Sequence, residues 1–224
     1  MTEARGHVLV IYIVADESGS MAPWLDDLND GIRSLAATLL GEPMAAAKVR
    51  ISLLGFSDDV IERSHLMDLR TSELPDLWEA RGSTNFAALF DDLAERIPRD
   101  VRELSSAGYL VHRPAVFMLT DGKPNGIDNW ESAHRRLDRS IMPASPNIIT
   151  VGIGEADPYV ISAVATSPDF GFIANRGMDV GQALSRFTTS LTKSVIASGR
   201  SLSSDAPQLV VDKPEGFTVA IDVI

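Results

Sequence analysis

No cysteine occurs among the 224 residues, which excludes disulfides, thiolate zinc sites and cysteine nucleophiles together. This suits a reducing compartment, and the chain is read as cytoplasmic. Histidine is scarce: His7, His65, His112 and His134 are scattered without metal-ligand spacing, so each is expected to pack or to face solvent. Positive charge is short as well. Lys and Arg number 20 against 31 Asp and Glu, giving a formal net charge of −11, which argues against a nucleic-acid partner. No apolar run approaches the roughly 20 residues that span a bilayer, so no membrane contact is expected. Val8 to Val14 has the length of a signal-peptide core, but it runs straight into acidic residues and reads as a first strand. No internal repeat is visible.

What is present suits one conventional core. Hydrophobic residues make up 45% and charged residues 23%, which excludes a largely disordered chain and leaves room for one sizeable domain. Val8 to Val14 has the β-branched and aromatic content of a strand buried on both faces. It ends in Asp16-Glu17-Ser18-Gly19-Ser20. Met21, Trp24, Leu25, Leu28, Ile32, Leu35, Ala36 and Leu39 then recur at helical spacing, and Gly41 and Pro43 stop that helix. Val49 to Phe56 and Val60 to Leu66 flank the polar turn Ser57-Asp58-Asp59 and predict a hairpin with one antiparallel edge strand.

The rest alternates. Gly82-Ser83-Thr84-Asn85 opens a helix whose apolar face is Phe86, Leu89, Phe90, Leu93, Ile97 and Val101. Pro114 to Thr120 reads as a strand ending in Asp121-Gly122-Lys123-Pro124. A charged helix from Trp130 to Ile141, a strand from Ile148 to Ile153 and a helix from Pro158 to Ala165 follow. A short strand at Phe170 to Ala174 and a helix from Val180 to Ala197 complete the series. Strands alternating with helices imply an α/β, doubly wound, mostly parallel sheet with helices on both faces. The expected division is a domain over 1–200 and a tail over 201–224. In the tail, Leu209 to Val211 and Phe217 to Ile224 read as a hairpin lying against the domain or a partner.

Three places widely separated in sequence deliver hard oxygen donors: Asp16, Ser18 and Ser20; Thr84; and Asp121. In a doubly wound sheet they can converge on one crevice. Hydroxyls with two carboxylates, and neither His nor Cys, suit Mg²⁺ or Mn²⁺ retaining part of its water shell. Taken singly, Ser20 or Thr84 could cap a helix and Asp121-Gly122 could be a turn. Gly152-Ile153-Gly154 is a poor phosphate loop, since Asp157 stands where the third glycine would be. Asp26-Asp27 and Asp58-Asp59 are expected to be solvated faces rather than a second metal site.

Asp16-Glu17-Ser18-Gly19-Ser20-Met21, Gly82-Ser83-Thr84-Asn85 and Leu119-Thr120-Asp121-Gly122 resemble, in order, the metal ion-dependent adhesion site of von Willebrand factor A domains. The resemblance spans roughly residues 7 to 197 and implies a Rossmann-like fold. It also implies that Ser18, Ser20 and Thr84 ligate the metal through their hydroxyls, with Asp16 and Asp121 acting directly or through water. The metal would keep a position for an Asp or Glu from a partner protein. Gly-Ser-Thr-Asn-Phe and Thr-Asp-Gly-Lys-Pro further resemble the bacterial TerY-like group associated with tellurite resistance and stress signalling, whose neighbours include a kinase and a phosphatase. That likeness implies a non-enzymatic adaptor in a phosphorylation-linked system, without the cysteine-bearing module that other members carry. The alternative is a Mg²⁺-dependent phosphatase or phosphotransferase with Asp16 as nucleophile. Such enzymes need a second carboxylate two residues on, where this chain has Ser18.

Overall fold

The computed structural model describes residues 6–122 and 129–220. Lys123 and Pro124, and the last four positions of the expected strand from Phe217 to Ile224, lie outside the described residues. The chain forms β1 (His7–Asp16), a 3-10 turn (Gly19–Trp24), α1 (Leu25–Leu40), α2 (Pro43–Ala46), β2 (Val49–Phe56), β3 (Val60–Met67) and α3 (Phe86–Ser106). β4 (Leu110–Val111), β5 (Ala115–Thr120), α4 (Trp130–Arg135), β6 (Asn147–Gly152) and α5 (Pro158–Val164) follow. A second 3-10 turn (Pro168–Phe170), β7 (Gly171–Ala174), α6 (Val180–Ser201) and β8 (Phe217–Val219) complete the order.

The sheet runs β3-β2-β1-β5-β6-β7-β8, with the short β4 also pairing with β1. β1, β2, β5, β6 and β7 are mutually parallel. The expected hairpin is present as the antiparallel β2–β3 pair, and β8 adds a second antiparallel edge on β7. Alternate β1 side chains face opposite layers, as a strand's period of two requires. Leu9, Ile11, Ile13 and Ala15 pack with α1 and α6, whereas Val8, Val10, Tyr12 and Val14 pack with α3 and α4. Strand order departs in opposite directions from β1, toward β2 and toward β5. The carboxyl ends of β1 and β5 therefore flank the switch point at which open α/β sheets bind ligands.

Three expectations change. The helix from Trp130 stops at Arg135 rather than Ile141, because the Asp138 carboxylate accepts from both the N–H (2.7 Å) and the hydroxyl (2.6 Å) of Ser140. Such local bonds compete with helical ones. The last helix runs to Ser201, so Ser198 and Gly199 are helical and buried rather than linker. Leu209 to Val211 is not a strand. Its backbone lies along α6, where Ser198 Oγ accepts from Val210 N at 2.9 Å and Ser194 Oγ accepts from Asp212 N at 2.9 Å. The spacing of Ser190, Ser194 and Ser198 places all three hydroxyls on one helical face, and Ser190 donates to the Asp212 carbonyl. β8 pairs with β7, and Phe217 is buried in the core.

Candidate metal centre

The site forms where three loops leave the same end of the sheet. Glu17 N–H donates to Phe56 O at 2.8 Å, Arg81 N–H to Glu17 O at 2.7 Å and Gly19 N–H to Gly82 O at 3.2 Å, tying the loop after β1 to the loop before α3. That second loop is itself anchored: Ser83 N–H donates to Asp58 Oδ1 at 3.1 Å, and Asn85 caps α3 by accepting from Ala88 N at 3.0 Å. The helix cap at this point is Asn85, which leaves the Thr84 hydroxyl facing the site. Ser20 makes no capping bond either, because a 3-10 turn intervenes before α1.

All five expected residues come together. Ser18 N–H donates to Asp16 Oδ1 at 2.9 Å, and the Thr84 hydroxyl stands 3.4 Å from Asp16 Oδ2. The Ser18 and Ser20 hydroxyl oxygens are 3.1 Å apart, and Ser20 donates to Asp121 Oδ1 at 2.9 Å. A methyl group on Gly122 would lie 3.0 Å from Thr84 Oγ1 and 3.4 Å from Asp16 Oδ2, so glycine there keeps the cradle open.

Among the described residues, the charge in this cradle meets no cationic side chain. Asp16 is fully buried, and burial pushes its carboxyl above the ordinary value, against bonds from Thr120, Ser18 and Thr84 that favour the charged form. Burial also raises Asp121; the Ser20 bond opposes this and the charge of Asp16 adds to it. Among the described residues, no Lys, Arg or His forms an ion pair with either carboxylate. One buried and one half-buried carboxylate beside three hydroxyls, with no ion-pair partner among the described residues, are a donor set that fits a hard divalent cation.

A second grouping differs in this respect. His65, Asp100 and Glu103 place one ligand atom each within 4.8 Å of one another. There Arg99 already pairs with Asp100 at 2.9 Å and His65 bonds Glu103 at 3.1 Å, so the charges are met by protein groups.

Two contributors escaped the sequence reading. Thr120 donates to Asp16 Oδ2 at 2.6 Å and accepts from Gly122 N at 3.1 Å, orienting the carboxylate from the neighbouring strand. Its place at the end of a buried strand, beside Asp121, was the available signal. Glu17 points away from the cradle into a buried clamp, accepting from Arg63 at 2.7 Å and Arg81 at 2.5 Å. Gly55 makes room for it, since a Cβ there would fall 2.2 Å from Glu17 Cδ. Gly152 serves packing: its Cβ would meet Ile161 at 2.8 Å and Ala156 at 2.9 Å. Asp26 and Asp27 are exposed in the first turn of α1, whereas Asp58 and Asp59 hold Ser83 and Arg81.

No family model matches the chain, and no curated protein matches it significantly. Solved structures do. A pilus adhesin, SpaC from Lactobacillus rhamnosus GG, aligns over 87% of this chain and 30% of its own at 15% identity, TM-score 0.64. Proximal thread matrix protein 1 from the mussel byssus, described with a zinc-occupied metal ion-dependent adhesion site, aligns over 88% and 47% at 17% identity, TM-score 0.55. A von Willebrand factor type A protein from Catenulispora acidiphila aligns over 85% and 43% at 15% identity, TM-score 0.53. The chain thus spans less than half of each of these structures. Sheet order, helices on both faces and these alignments agree that the chain has the Rossmann-like fold of von Willebrand factor A domains.

Proposed function

We propose that this chain is a Mg²⁺-dependent protein-binding module without catalytic activity of its own. Asp16, Ser18, Ser20, Thr84 and Asp121 would hold the ion, and an Asp or Glu of a partner protein would join them there. The observation that carries this reading is the pair of mutually repelling carboxylates, Asp16 fully buried and Asp121 half-buried, with no ion-pair partner among the described residues. When bound, the ion supplies the positive charge to which a partner's carboxylate is drawn; hydroxyl ligands neutralise none of it. Thr120 and Gly122 do the positioning, one by orienting Asp16 and the other by leaving space.

The absence of catalysis is proposed because Ser18 stands where an aspartate-nucleophile enzyme needs a second carboxylate. The cellular setting belongs to the same proposal. The Gly82 to Phe86 and Thr120 to Pro124 motifs support a bacterial stress-response system of the tellurite-resistance type, with a kinase or phosphatase as partner in the cytoplasm. Among the described residues no helix is long and apolar enough to cross a membrane.

The test is capture of partners on the immobilised chain with Mg²⁺, followed by chelation. Release by EDTA, and loss of capture in Thr84→Ala, is the expected result. Capture indifferent to both overturns the proposal. A phosphatase assay with Mg²⁺ whose turnover is lost in Asp16→Asn would restore the enzymatic alternative.

A further inference from the structure

At the opposite end of the sheet, beside the amino end of β6, lies a cavity of about 310 Å³ walled by His134, Arg135, Asp138, Arg139, Ser145 and Thr166. It is separated from the metal centre by the length of β6, six residues or roughly 20 Å at strand rise. Arg113 reaches the same place, donating to the Ser145 carbonyl. Arg139 is held by a 3.0 Å bond to Asn147 Oδ1.

Charge here runs against the rest of the molecule. In a chain with net charge −11, Arg113, Arg135 and Arg139 form no ion pair among the described residues. Arg113 and Arg139 stand close enough that, after burial, the charge of the second lowers the guanidinium of the first. The one carboxylate on the wall, Asp138, is engaged in its own turn by Ser140, as described above. Ser145, only 1% exposed, also lines the cavity. His134 Nε2–H donates to the Val164 carbonyl at 3.0 Å, so that nitrogen is already engaged.

We propose that this cavity is an oxyanion site that takes a phosphoryl group. Guanidinium forks match tetrahedral oxyanions with paired N–H donors, and the bonds to Asn147 and Ser145 leave most of the donors of Arg139 and Arg113 unused. Ser145, which lines the cavity, offers its hydroxyl as a further donor. The site owes nothing to the metal centre and stands whether or not that centre binds an ion.

The experiment titrates the full chain with inorganic phosphate, and separately with phosphoserine, by calorimetry in EDTA at constant ionic strength set with sodium chloride. Saturation at one anion per chain is expected, weakened about tenfold or more in Arg139→Ala and several-fold in Ser145→Ala. Tighter binding of phosphoserine identifies an esterified ligand, and tighter binding of phosphate a free ion. Arg139 is exposed and Ser145→Ala nearly isosteric, so both variants should fold. Heat that does not saturate, or saturation unchanged in Arg139→Ala, overturns the proposal.

Discussion

Ser20 donates to Asp121 Oδ1 at 2.9 Å, joining the loop after β1 to the end of β5 across a separation of 101 residues. Through Ser18 and Asp16 this contact continues to Thr84, so one chain of hydrogen-bonded residues links all three loops. Because Asp16 is fully buried and forms no ion pair among the described residues, the metal-free protein carries buried charge that costs stability.

Asp16→Asn should therefore leave the metal-free protein at least as stable as wild type, because it removes that charge while an amide oxygen can still accept from Ser18 N. The same variant should lose any rise in Tm on addition of Mg²⁺, since ligands stabilise only the state that binds them. Thermal melts of both proteins in EDTA and in excess Mg²⁺ check this. A metal-free variant several degrees less stable than wild type would show that Asp16 is a structural hydrogen-bond centre first.

Glu17 makes the opposite prediction. Its carboxylate is fully buried between Arg63 and Arg81. Glu17→Gln removes the charge that the two guanidiniums share, leaving Arg81 with Asp59 and Arg63 with Glu79 at 3.8 Å, and should cost about 3 kcal/mol, the lower end for a broken buried pair because both arginines reach solvent and keep a second partner. Gly55→Ala forces a methyl into the same carboxylate and should cost roughly 1–3 kcal/mol. Denaturant melts measure both, and the two losses should not add, because they act on one contact.

The segment after α6 gives a third test. Ser194 is fully buried, accepts from Asp212 N at 2.9 Å and donates to Ser190 O at 2.8 Å. Ser194→Ala should cost about 1–3 kcal/mol by stranding the Asp212 amide. Hydrogen exchange at Asp212 should quicken in the variant, while exchange in β1 is slowed as in wild type. Unchanged exchange at Asp212 would mean that the serine face does not hold the strap.

The strand and helix pattern was legible because β1 is an unbroken apolar run and helical spacings are unbroken in α1, α3 and α6. All five candidate ligands were legible because each sits where an apolar run ends or begins. Thr120 and Glu17 were not, since nothing local tells which way a polar residue at a strand end will turn. The strap along α6 was hidden for a different reason. Its bonds join Ser190, Ser194 and Ser198 to backbone atoms 12 to 22 residues away, and serine within an apolar helix carries no mark of such a partner. The short helix at Pro43 and the early end of α4 rest on single-residue capping and turn chemistry.

His65 sets a pH dependence. Burial opposes its charge, but bonds to Glu103 and Glu62 outweigh this and raise its pKa above the ordinary value. A raised basic group stabilises fully below its unfolded value, about 6.5, and that contribution fades as pH rises through the folded value. The Tm difference between wild type and His65→Gln should accordingly be largest near pH 6 and shrink by pH 8. A constant difference would assign His65 a packing role alone.

Titration of Mn²⁺ into the purified chain, followed by electron paramagnetic resonance, measures the metal centre itself. One ion bound per chain, displaced by Mg²⁺ and lost in Thr84→Ala, is the predicted result. Uptake by Thr84→Ala equal to that of wild type, or no uptake by either, would contradict the five-residue site.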